Sequence, residues 1–126
     1  MKYMKNKKHK PKKTYCFDID GTICSNTYGK YDLAKPDKHF IEIINALFQK
    51  GHKIIFYTSR GYTTGIDWAK TTKEQLKRWG VKYHQLIFGK PEADFYIDDR
   101  AIHSDDFLKG CSKLAKTNKD KSGDKI

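Results

Sequence analysis

Residues 15–22 read Tyr-Cys-Phe-Asp-Ile-Asp-Gly-Thr, an apolar run that delivers two carboxylates, Asp18 and Asp20, into a glycine turn. Side chains alternate along a strand, so residues two apart point the same way, and Asp18 and Asp20 converge where the strand ends. Like charges so placed repel. A divalent cation between them, a proton on one carboxyl, or both would relieve the repulsion, and each solution belongs to catalysis. The bland alternative is a strand followed by an acidic turn, because Asp and Gly are ordinary turn residues.

The rest of the chain favours chemistry. Residues 53–60, Lys-Ile-Ile-Phe-Tyr-Thr-Ser-Arg, form a second apolar run that ends in the hydroxyls of Thr58 and Ser59 and the guanidinium of Arg60. Residues 86–100 then give a third apolar run, Lys90, and a fourth run, Phe95-Tyr96-Ile97, that ends in Asp98 and Asp99. Each polar cluster follows the last apolar residue of a run. In an open parallel α/β sheet, that edge is where ligands bind.

The order Asp-x-Asp-Gly-Thr, a strand ending in Thr, then Lys, then a strand ending in Asp-Asp resembles the haloacid dehalogenase superfamily of phosphohydrolases over roughly residues 14–105. Thr58-Ser59-Arg60-Gly61, Gly65-Ile66-Asp67-Trp68, Trp79-Gly80 and Phe88-Gly89-Lys90-Pro91 are similar to small capless phosphatases of capsule and surface-polysaccharide biosynthesis. The resemblance implies an α/β fold with a Rossmann-like parallel sheet flanked by helices. It also implies that Asp18 attacks phosphorus to give an aspartyl phosphate, while Asp20 protonates the leaving oxygen and later deprotonates water. Magnesium is the implied cofactor, with Asp18, the Asp20 carbonyl and Asp99 as ligands. Asp98 either ligates through water or orients Lys90. Lys90 brings a compact positive charge to phosphate and nucleophile, and Thr58 offers a hydroxyl. Arg60 either clamps a second anionic group of the substrate or pairs with a surface acid. Thr58, Ser59, Arg60 and Lys90 are thus the substrate-binding candidates. Of the five histidines, those at 39, 52, 84 and 103 have no metal-ligand spacing.

Superfamily caps are inserted after the first motif or between the second and third. Here Pro36 opens a helix soon after the first motif, and 31 residues separate Thr58 from Lys90, which a helix and a strand consume. No cap domain is expected. An open site implies a large substrate, a macromolecular one, or closure by another subunit of a homo-oligomer.

The chain has 126 residues, room for one domain, and a net charge of +11. Most of that charge sits at the ends. Residues 1–13 carry seven Lys and no acid, residues 111–126 carry five Lys and two Asp, and residues 14–110 are left with about +1. Both ends are polar and Lys-rich, and read as disordered tails around a domain at 14–110. A solubilising role for them is favoured over an electrostatic arm for nucleic acid or an anionic surface. No run approaches the length of a membrane span, and no apolar signal core follows the basic N-terminus, so a cytoplasmic protein is expected. Cys16, Cys24 and Cys111 form no Cys-x-x-Cys pair, which fits a reducing compartment, and Cys16 reads as a buried strand residue.

Between the motifs, residues 23–35 read as a loop or small hairpin turning near Gly29. The resemblance implies a flap beside the active site here, with Tyr28 and Tyr31 either touching substrate or, the favoured reading, packing on the flap as surface aromatics. Phe40, Ile43, Ile44 and Leu47 share one helical face, with Pro36 in the first turn and Gly51 as C-terminal cap. A second helix runs to about Trp79, opened either by Thr71-x-x-Glu74 as a capping box or from near Asp67, with Ala69, Thr72, Leu76 and Trp79 inward. Strands are expected at 15–19, 53–57, 85–88 and 94–98, and a third helix near Ser104. Ile54 to Tyr57 is a continuous apolar run, as in a parallel sheet covered on both faces.

Three readings follow. The first is a Mg-dependent phosphatase for a phosphorylated sugar or similar polymer precursor. The second is a polynucleotide terminal phosphatase, and the third a binding module that kept the fold without the enzyme.

Overall fold

A computed structural model describes residues 12–111. Most of the two Lys-rich ends therefore lies outside the described residues. The described chain is a small α/β unit: β1 (Thr14–Phe17), α1 (Lys38–Gln49), β2 (Lys53–Thr58), α2 (Ala69–Arg78) and β3 (Gln85–Phe88), followed by helical residues 104–111 (α3). The strands pair in parallel in the order β1-β2-β3, with Phe17 opposite Phe56 and Thr58 opposite Phe88.

The apolar face expected of α1 is the one it buries. Phe40, Ile43, Ile44 and Leu47 are all buried, joined by Ile41 and Ala46. Each large side chain so buried contributes about 1.5–3 kcal/mol relative to exposure. The helix starts two residues after Pro36, where Asp37 caps it by accepting a hydrogen bond from the Phe40 N–H at 3.1 Å. Gly51, at φ +97°, lets the chain leave while the His52 N–H reaches back to the Leu47 carbonyl. Of the two expected starts of the second helix, the one near Asp67 is found and the Thr71 capping box is not. The helix begins at Ala69, whose N–H is taken by the Asp67 carboxylate, and Thr71 lies inside it.

Because β1, β2 and β3 advance in one direction, right-handed crossovers place α1 and α2 on the same sheet face. Asn45 of α1 ties that helix to the segment just after α2, donating to the Gly80 carbonyl and accepting from the Lys82 N–H. That face carries Phe17, Ile54 and Phe56, with Phe40 and Phe107 in ring contact with Phe17. The opposite face is less covered. Ile55 and Tyr57 are half-buried, Ile87 is exposed, and Cys16, paired with Ile55, is exposed rather than buried as its apolar neighbours suggested. A continuous apolar run in β2 therefore does not mean burial on both sides.

The expected strand at 94–98 does not form. Local bonds replace the ladder: Tyr96 Oη donates to the Pro91 carbonyl and accepts from the Ala93 N–H, and Asp98 accepts from the Arg100 N–H at 2.8 Å. Phe95 and Ile97 are left exposed. At the C-terminal side, Cys111 is buried against the core as part of α3 rather than beginning a tail. Among the described residues, no helix is long and apolar enough to cross a membrane.

Candidate active site

The strand β1 stops at Phe17, so Asp18 and Asp20 stand just past its end, on either side of the fully buried Ile19. Gly21, at φ +82°, closes the turn, with its N–H on the Cys24 carbonyl and the N–H groups of Thr22 and Ile23 on the Ile19 carbonyl. Ile19 and Ile23 anchor the turn in the core while the carboxylates stay at the sheet edge.

Asp18 is half-buried and its carboxylate accepts from the Ile19 N–H at 2.8 Å. Lys90 faces it, with Nζ 3.4 Å from Oδ2. The lysine is positioned from two sides: its N–H donates to the Thr58 carbonyl at 3.1 Å, and its ammonium lies 4.5 Å from the Tyr96 ring centre. Burial pushes the Asp18 carboxyl above the ordinary carboxylate range, and the Lys90 charge beside it opposes that rise.

Thr58, the last residue of β2, is 1% exposed. Its hydroxyl oxygen accepts from the Arg60 N–H at 3.1 Å, which leaves its proton free to donate. Ser59 is half-buried, and its carbonyl takes the Tyr62 N–H at 2.8 Å. Gly61 is required just beyond. At φ +82° it lies so near the Ile66 carbonyl that a Cβ would overlap the oxygen.

Arg60 serves neither of the roles its sequence context offered. It is buried, and Nε donates to Asp20 Oδ2 at 2.8 Å while Nη2 donates to Oδ1 at 2.9 Å. Nη1 donates to Thr72 Oγ1 at 3.0 Å and to Gln75 Oε1 at 2.6 Å. Nη2 also approaches Cys24 Sγ at 3.9 Å, and the Tyr31 ring covers the guanidinium at 4.7 Å. A guanidinium has five N–H donors, and all five are spoken for. No donor is left for a substrate anion, and the acid it pairs with is the motif's own Asp20.

Gln75 was absent from the sequence reading. It is 2% exposed, and its Nε2 donates to the Tyr31 carbonyl at 2.6 Å. The available signal was its place on the α2 face beside Thr72 and Leu76, where a buried amide demands polar partners. Trp79 packs partly buried on the core, as its position suggested. Tyr31 is half-buried against Trp68 and Arg60, whereas Tyr28, at φ 53°, projects into solvent.

Asp98 and Asp99 are not brought to this cluster by any contact; both are exposed on the segment that left the sheet. Among the described residues, no group of three or more His, Cys, Asp or Glu is placed to hold a metal. His84 is structural, accepting the Ile54 N–H at Nδ1. The Cys24 thiol, pushed up to about 12 by burial and then by the Asp20 charge, stays protonated at neutral pH and is no nucleophile. A cavity of about 400 Å³ lies behind the turn, between Gly21, Lys35, Asp37 and Ser104. None of Asp18, Asp20, Thr58 and Lys90 lines it.

The fold is similar to that of a structural-genomics target from Vibrio cholerae known from its crystal structure, with a TM-score of 0.70 and 28% identity over 85% of this chain and 99% of that one. A chain in the structure of a Pnkp1/Rnl/Hen1 complex is similar with a TM-score of 0.51 and 23% identity, over 79% of this chain and 34% of that one, and shows the fold alone. No protein-family model matches the sequence, and neither does any curated protein.

Proposed function

We propose that this chain is a capless phosphohydrolase of the haloacid dehalogenase type, working through an aspartyl phosphate on Asp18. The observation that carries the reading is Lys90 Nζ at 3.4 Å from Asp18 Oδ2, at the C-terminal edge of a parallel sheet and backbone-bonded to the end of β2. A carboxylate beside an ammonium is a nucleophile with its charge partner already in place. The ammonium also offsets the phosphoryl oxygens as they approach.

In this reading Asp18 Oδ attacks phosphorus and the bond to the ester oxygen breaks. Asp20 gives the leaving oxygen its proton. Asp20 then takes a proton from the water that cleaves the acyl phosphate, which returns Asp18 to the carboxylate and Asp20 to the carboxylic acid in which each began the cycle. Thr58 has a proton to donate to a phosphoryl oxygen, and Lys90 holds the nucleophile's orientation.

Magnesium belongs to the proposal on donor chemistry. It binds through one or two carboxylates together with substrate phosphate, and when bound it would neutralise phosphoryl charge. Asp18 suits such a site. Asp98 and Asp99, however, stand on the exposed segment, so the full ligand set is not assembled among the described residues, and no step above is routed through the ion.

The substrate proposed is a phosphorylated sugar or a similar precursor of surface polysaccharide, and the setting is the cytoplasm. The described chain between Thr58 and Lys90 is a loop, α2 and β3, which supports an open site. A panel of sugar phosphates, nucleotides and terminally phosphorylated oligonucleotides, assayed with magnesium, tests the reading. Preferential turnover of sugar phosphates supports it. Preference for oligonucleotides moves the substrate class to nucleic acid, and no turnover of any ester removes the enzyme.

A further inference from the structure

We propose that Arg60, braced from behind by Thr72 and Gln75, is the positioning residue that sets the Asp20 carboxylate for proton transfer. The inference rests on the phosphohydrolase reading and assigns Thr72 and Gln75 of α2 a part in it.

Proton transfer is sensitive to the direction of the carboxyl lone pairs, and a free aspartate rotates about two side-chain bonds. Here the Arg60 fork takes one lone pair from each oxygen, at 2.8 Å and 2.9 Å, so both rotations are fixed by one rigid plane. Cys24 Sγ approaches Oδ1 at 3.5 Å, which leaves Oδ2 with an uncommitted lone pair. The Asp20 side chain is 16% exposed, so the carboxylate retains access to solvent, and the Arg60 side chain is 0% exposed.

The plane itself must be held. A guanidinium attached only to a carboxylate would follow it. Nη1 instead reaches the other way, to Thr72 at 0% exposure and Gln75 at 2%, and Tyr31 closes its face. Thr72 and Gln75 are one helical turn apart on α2, so the orientation of Asp20 is referred to a helix rather than to the turn that carries it. Lysine could not substitute for the arginine, because a point charge has no fork.

The test separates positioning from stability by leaving group. An acidic phenol departs without help, whereas an aliphatic alcohol needs the proton. Thr72→Val, which is nearly isosteric, and Gln75→Leu each remove one brace and leave Asp18, Asp20 and Arg60 in place. Wild type and both variants are assayed on 4-nitrophenyl phosphate and on an alkyl phosphate, with folding checked by circular dichroism. We expect kcat/KM, which reports phosphoryl transfer to Asp18 and not the shared hydrolysis of the intermediate, to fall about 10-fold more on the alkyl ester than on the nitrophenyl ester, a part of the 10²–10⁴-fold that general acid–base catalysis supplies. Arg60→Lys should show the same split more strongly. A merely structural role lowers both substrates together. Equal losses, or none, in a folded Thr72→Val overturn the inference while the active wild type keeps the phosphohydrolase reading. A wild type inert on both esters overturns the two together. If Gln75→Leu does not fold, Thr72→Val alone decides.

Discussion

Arg60 and Asp20 meet through two hydrogen bonds across 40 residues of sequence, Nε to Oδ2 at 2.8 Å and Nη2 to Oδ1 at 2.9 Å. The contact joins the turn after β1 to the turn after β2, and through Thr72 and Gln75 it reaches α2. Removing one member of such a pair strands the other. Arg60→Ala should therefore destabilise the fold by about 3 kcal/mol, the lower end of the range for broken buried pairs, because Asp20 keeps some contact with water. Urea denaturation of Arg60→Ala, Asp20→Ala and the double variant measures it. The double variant should cost at least ~1 kcal/mol less than the sum of the two. Additive losses would mean that the two residues do not stabilise each other.

Asp18 gives a stability prediction of definite sign. Its carboxyl is raised by burial, so the folded protein holds that proton more tightly than the unfolded chain does. The group's contribution to stability is fully present below the ordinary carboxylate range and is lost as pH rises through the raised folded value. Asp18→Asn, which removes the buried charge, should thus melt higher than wild type at neutral pH in chelator-treated, metal-free buffer. The gap should close as pH falls toward and below the unfolded carboxylate range. A gap that widens on acidification would reverse the assignment of burial as the dominant influence.

Gly61 and Gly65 form a matched pair, with φ +82° and +79°. A Cβ at Gly65 meets nothing within 4 Å, whereas one at Gly61 overlaps the Ile66 carbonyl oxygen. Gly65→Ala should cost about 1–2 kcal/mol, the conformational penalty of the left-handed region. Gly61→Ala should exceed that by at least ~1 kcal/mol, because backbone must shift as well. Thermal melts of the two variants compare them directly, and equal costs would show that the Ile66 carbonyl moves aside freely.

What the sequence disclosed and what it hid divide along physical lines. The α1 face was legible because Phe40, Ile43, Ile44 and Leu47 recur at the helical period, and burial follows period. Strands β1 to β3 were legible as apolar runs broken by polar clusters, and Lys90 does lie beside Asp18. Residues 94–98 carry the same local signal as a strand, but pairing is a long-range event. There the Tyr96 hydroxyl and the Asp98 carboxylate found local backbone partners instead. Cys16 followed from that logic too, since its exposure depends on what covers the far face of the sheet. Arg60 was the least legible. Nothing within a few residues shows that its partners are Asp20, 40 positions earlier, and Gln75, 15 positions later. A buried arginine needs several acceptors, and only the tertiary fold says which they are.

The account turns on Asp18 as the residue that takes the phosphoryl group. Acid-quenching the protein during turnover of a phosphate ester, then mapping phosphate by peptide mass spectrometry with and without hydroxylamine, tests this most directly. The account predicts a hydroxylamine-labile phosphate on the peptide containing Asp18, absent from Asp18→Asn, which should also be inactive and folded. Near wild-type turnover by Asp18→Asn, or a phosphate carried on another residue, would contradict it.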